Sequence, residues 1–89
     1  MTFDELEKQL SYKGFLAAYQ ADWFYRYGDG NFPDIFINWE RQGKVAYLTT
    51  VKMTKHHGGI KYSIEFDFVD FDHLYFEMNK FMSLLKRAK

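Results

Sequence analysis

The sequence predicts an α+β domain: a short N-terminal helix, a four-stranded antiparallel meander and a C-terminal amphipathic helix, with both helices on one face of the sheet. Three observations lead there. Apolar residues alternate with polar ones through Ile60, Tyr62, Ile64, Phe66 and Phe68, as a half-buried strand requires. Directly afterwards Phe71, Leu74, Tyr75, Met78, Phe81, Met82 and Leu85 recur at spacings of three and four, which draws one stripe along a helix. Turn signals at 28–33, 41–43 and 56–59 then divide the middle of the chain into segments that alternate in the same way. At 89 residues the chain is read as one domain, 1–89, able to bury a single core.

The first helix is expected to start at Thr2, because Thr2 and Glu5 stand three apart in a capping-box pattern. Phe3, Leu6 and Leu10 form its apolar stripe. Gly14 is placed to end it in the left-handed conformation, with Phe15 folding back on Leu10.

Residues 15–27 fit two periods. As a strand, Phe15, Ala17, Tyr19, Ala21, Trp23, Tyr25 and Tyr27 share one side, and Gln20, Asp22 and Arg26 share the other. As a helix, the stripe Phe15, Leu16, Tyr19 and Trp23 would lie nearly opposite Phe3, Leu6 and Leu10. The order would then become α-β-β-β-α, which resembles that of double-stranded-RNA-binding domains. Those domains carry a lysine cluster at the start of the last helix, where this chain has Asp70 and Asp72. Trp23, Phe24, Tyr25 and Tyr27 favour a pleated surface, so the strand is preferred.

Gly28, Asp29, Gly30, Asn31 and Pro33 make a loop. Ile35, Ile37 and Trp39 alternate with Phe36, Asn38 and Glu40, and Val45, Tyr47, Thr49, Val51 and Met53 alternate with Ala46, Leu48, Thr50 and Lys52. A three-residue loop of Arg41, Gln42 and Gly43 would set Glu40 opposite Lys44. Under that register Phe36 faces Leu48 on the outer side and Ile37 faces Tyr47 on the inner side. His56 to Gly59 closes the next hairpin. Asp70 is the expected N-cap of the last helix, Val69 and Leu74 its hydrophobic staple, and Lys86, Arg87 and Lys89 complement its negative end.

Composition narrows the function. The absence of cysteine removes disulfides, thiolate catalysis and cysteine-ligated zinc. Lys plus Arg equals Asp plus Glu at twelve each, so the chain as a whole offers no funnel for phosphates. The N-terminus lacks the basic lead and apolar run of a signal peptide, and no apolar stretch nears the roughly 20 residues needed to span a bilayer. A cytoplasmic protein without membrane attachment is expected.

His56 and His57 are neighbours on a turn and His73 lies on the last helix, a poor arrangement for one metal ion. Gly28 to Gly30 does not extend into a dinucleotide fingerprint, because Pro33 occupies the third glycine position. Glu65 and Asp67 belong to the polar side of a strand, whereas Asp70 and Asp72 serve a helix start. No catalytic, cofactor-binding or metal-ligating residue is therefore assigned.

Aromatic residues make up 21% of the chain, more than a core of this size needs, so some belong to a surface that meets a partner. The candidate interface is Phe24, Phe36 and Leu48, brought together on the outer face. The expected function is non-enzymatic binding of another protein or of an identical chain, as a small accessory or inhibitory protein. Its compact, cysteine-free, aromatic-rich composition is of the kind common in phage and mobile elements. Two other readings use the same aromatics. A sheet bearing rings and lysines can bind single-stranded nucleic acid, and the layout resembles that of transcriptional-coactivator and Pur-type modules, although Arg26, Lys44, Lys52 and Lys61 would be balanced by Asp22, Glu40, Glu65 and Asp67. Trp23, Tyr25 and Trp39 are the residues that would stack on a small ligand or nucleotide.

Overall fold

In the computed structural model, which describes every residue except Tyr19, Ala88 and Lys89, the elements run α1 (Phe3–Tyr12), β1 (Leu16–Ala18), β2 (Trp23–Arg26), β3 (Asp34–Gln42), β4 (Val45–His57), β5 (Ile60–Asp67) and α2 (Phe71–Arg87). The strands form one antiparallel sheet in the order β1-β2-β3-β4-β5. Both helices lie on one face of it and bury Leu6, Leu10, Leu74, Met78, Phe81 and Leu85 against Phe24, Ile35, Ile37, Val51 and Met53. The expectations for Tyr19 and Lys89 fall outside the described residues.

Both helix starts follow the sequence. Thr2 Oγ1 accepts from the Glu5 N–H at 3.2 Å while Glu5 Oε1 accepts from the Thr2 N–H at 3.4 Å, a reciprocal capping box. Asp70 Oδ1 accepts from the His73 N–H at 2.7 Å and caps α2. Val69 remains 67% exposed, so the expected staple gives Leu74 little cover. At the end of α1 the Phe15 N–H reaches Leu10 O and the Gly14 N–H reaches Ser11 O, each at 3.0 Å, with Gly14 at φ 85°. This is a Schellman ending, and it drops Phe15 into the core beside Leu10.

The stretch 15–27 is two strands, not the one expected, which raises the count from four to five. A tight reversal, with the Ala21 N–H on Ala18 O at 3.2 Å and the Trp23 N–H on Ala21 O at 2.8 Å, pairs Ala17 with Phe24. Gln20, Ala21 and Asp22 have little preference for a pleated surface, and the chain turns there. The turn also changes phase. Phe24 points inward at 0% exposure and stacks against Phe3 at 5.7 Å, so it belongs to the core and not to the expected outer interface.

The β3–β4 hairpin differs as well. Its loop is Gly43 and Lys44, with Gln42 opposite Val45 and Glu40 opposite Tyr47 in place of Lys44. Gly43 at φ 63° followed by a residue of negative φ is the combination of a type II′ turn, whose twist suits the flanking strands. Farther along, Trp39 pairs with Leu48 but Ile37 pairs with Val51, so β4 carries one extra residue at Thr49–Thr50. Thr49 Oγ1 donates there to Asn38 Oδ1 at 3.0 Å. The bulge reverses the alternation of β4: Ala46 and Leu48 face the helices on one side of it, Val51 and Met53 on the other. Leu48 therefore packs on the core and faces Trp39, not Phe36.

The 28–33 loop is fastened at several points. Asp29 Oδ1 accepts from the Asn31 and Phe32 N–H groups at 2.7 and 3.2 Å, and the ammonium of Lys55 donates to the carbonyls of Asp29 and Phe32. Backbone crowds Gly28 so closely that a Cβ there would sit 2.1 Å from Phe32 O.

Candidate functional site

Side chains on the helix-free face follow from the register. Leu16, Tyr25, Phe36, Lys52 and Glu65 are successive cross-strand partners and form one row across all five strands. Trp23 extends the aromatic part, meeting Phe36 edge-on at 6.4 Å and 88°. The Tyr25 and Tyr27 rings lie 5.2 Å apart. Leu16 is 59% exposed and Tyr27 71%, while Trp23, Tyr25 and Phe36 are half-buried by one another. Trp23, Phe36, Lys52, Thr54 and Lys61 line one shallow depression on this face.

The face thus has two halves. Strands β1 to β3 supply rings and Leu16. On β4 and β5 the outward residues are polar and include charges of both signs, Lys52 opposite Glu65 and Lys61 opposite His56, with Asp67 farther along. Asp34 also faces this side and accepts from the Gly28 N–H at 2.7 Å. At the far end of the face Tyr47 donates to Glu40 Oε2 at 3.1 Å. That hydrogen bond, and then the carboxylate's charge, hold the Tyr47 hydroxyl above its ordinary pKa, because ionisation would set two anions side by side.

Of the three expected interface residues, Phe36 alone lies on this face; Phe24 and Leu48 are turned to the helices. Arg26, expected on the outer face, also points inward. Its guanidinium donates to Lys13 O at 3.3 Å and to Met78 Sδ at 3.6 Å, and stacks over Phe15 at 5.2 Å. It caps the carbonyl end of α1, where the dipole favours a cation. Trp39 is likewise internal, 4.7 Å from the Phe3 ring and beneath the Arg41 guanidinium. The residues that periodicity did not bring together are Leu16, Trp23 and Tyr25 around Phe36. A signal for them existed in Gln20, Ala21 and Asp22, a short low-propensity run inside an aromatic segment.

Among the described residues no group of three His, Cys, Asp or Glu side chains converges as a metal site, and no helix is long and apolar enough to cross a membrane. His73 sits on the opposite side of the sheet, with Nε2 3.6 Å from Glu77 Oε1 and its ring edge against Phe66. No family model, curated protein or solved structure matches this chain.

Proposed function

We propose that the chain is a non-enzymatic binding module that holds a protein partner on the open face of its sheet, as an accessory or inhibitory subunit. One observation carries this reading: the row from Leu16 through Tyr25 and Phe36 to Lys52 and Glu65, on which no helix lies among the described residues. Aromatic rings supply large contact area at small entropic cost, and a border of mixed charge supplies orientation, which is the composition of protein interfaces. Apolar area of this kind seldom stays open on a soluble monomer. The charge on the face argues against phosphate as the ligand, since the outward Lys52 and Lys61 are matched by Asp34, Glu65 and Asp67.

The test replaces Tyr25→Ser together with Phe36→Lys, both outward, so circular dichroism should be unchanged. Immobilised wild-type chain is expected to retain a defined protein from an extract of its own host, and the double variant to lose it. A folded double variant that retains the same protein in the same amount would exclude the open face as the contact.

A further inference from the structure

The two edges of the sheet are treated differently. At one edge β1 is three residues long, too short to template another strand. At the other, β5 runs for eight residues in unbroken register with β4 and contains no proline. Among the described residues nothing pairs with its outer side, since β4 is its only neighbour in the sheet. Its inward residues Tyr62, Ile64 and Phe66 are only half-buried, and Ile60 at the strand's start is exposed. On the flank of α2 that carries His73, beside Phe66, Leu84 is 54% exposed.

The backbone groups that point off this edge can be named. Residues 60 and 57 flank a two-residue loop, and the Phe68 N–H donates to Thr49 O at 2.8 Å, so the even-numbered residues of β5 bond to β4. The N–H and C=O groups of Lys61, Ser63 and Glu65 therefore point outward. We infer that β5 pairs antiparallel with β5 of a second copy of this chain, about a two-fold axis at Ser63. In that register Ser63 meets its own copy, and Lys61 meets Glu65 on both sides of the axis. All three pairings join residues whose backbone groups face the edge.

Charge identifies the occupant. Inside one chain Lys61 has only His56 across from it, whereas Glu65 already faces Lys52. Pairing extends that row so that each Glu65 lies between Lys52 of its own chain and Lys61 of the copy. On the inner side Tyr62 meets Ile64 and Ile60 meets Phe66, which covers the half-buried row. With no net charge, two copies do not repel each other at long range. Because the axis is perpendicular to the sheet, the dimer carries both open faces on the same side as one continuous surface. The seam itself uses none of the open-face aromatics.

Sedimentation equilibrium of the full chain at about 100 µM tests this, a concentration at which β-edge contacts of modest affinity are populated. A dimer is expected, with slow hydrogen exchange at the amides of Lys61, Ser63 and Glu65. Lys61→Glu alone and Glu65→Lys alone should each weaken it about tenfold or more, because like charges then face each other twice across the axis. The combined exchange of both residues should restore it, which a merely destabilised fold would not do. Ser63→Pro should give a folded monomer, since the lost N–H bonds nothing within the chain. A monomeric wild type, or a dimer indifferent to the single charge reversals, overturns the inference. So does a dimer dissolved by Tyr25→Ser with Phe36→Lys, which would assign self-association to the open face.

Discussion

Phe24 and Phe36 have the same side chain and are brought near each other by one sheet, yet they do opposite work. Phe24 pairs with Ile37 and is closed in by Phe3 and Trp39, whereas Phe36 faces away from the helices with Trp23 and Tyr25 for neighbours. Emptying the Phe24 site leaves a cavity lined by fixed rings, so Phe24→Ala is expected to cost about 3–5 kcal/mol. Phe36→Ala exposes a site already open to water and should cost less than half as much. Urea midpoints of the two variants measure the difference. Equal losses would mean that another layer covers Phe36 and that the open face is misassigned. Alternation put Phe24 on the wrong side because Gln20, Asp22 and Arg26 mark its phase as polar, whereas Arg26 turns inward to the end of α1 and shares the inner face with Phe24.

At the scale of elements, the parts that were legible are those whose signals are local. Thr2 with Glu5, Gly14 with Phe15, and Asp70 before a helical stripe each act within five residues, and each forms as read. The α+β class and the placement of both helices on one face followed from the same signals. What escaped was pairing between distant residues. Strict alternation cannot reveal that β4 holds one residue too many, since Val45 to Met53 satisfies either phase over a short window. The bulge makes a specific deletion tolerable. Removing Thr50 leaves Ala46, Leu48, Val51 and Met53 on one regular inner face, so that variant should fold with a small loss of stability. Deleting Lys52 instead turns either Val51 or Met53 toward water, a loss of about 1.5–3 kcal/mol from the displaced side chain alone. Thermal melting of both variants provides the comparison. A Thr50 deletion that melts as low as the Lys52 deletion would show that the bulge itself is required, for example through the Thr49 bond to Asn38.

For the whole molecule, the distribution of charge matters more than its sum. Twelve cationic and twelve acidic residues permit a basic patch somewhere, and the aromatic row is where a nucleic acid would need one. The fold withholds it. Arg26 is spent on the end of α1, Lys55 on the carbonyls of the 28–33 loop, Arg41 over Phe3 and Trp39, and Lys13 over Phe71. Lys52 and Lys61 are left on the open face, with Glu65, Asp67 and Asp34 around them. Affinity for a polyanion grows with the number of phosphates neutralised, and log K falls with log salt in proportion to that number. A face on which the acids outnumber the lysines releases few counterions. Fluorescence anisotropy with a labelled single-stranded oligonucleotide is therefore expected to show weak binding that changes little between about 50 and 200 mM salt. Sub-micromolar affinity that collapses over this range would require the rings of Trp23, Tyr25 and Phe36 to serve as a stacking platform, and would replace the protein partner with a nucleic acid. The edge-paired dimer makes this a stricter test. It doubles the acids along with the lysines on one continuous surface, so dimerisation should leave the oligonucleotide affinity low, whereas a protein partner presenting two copies of its own contact would gain from it.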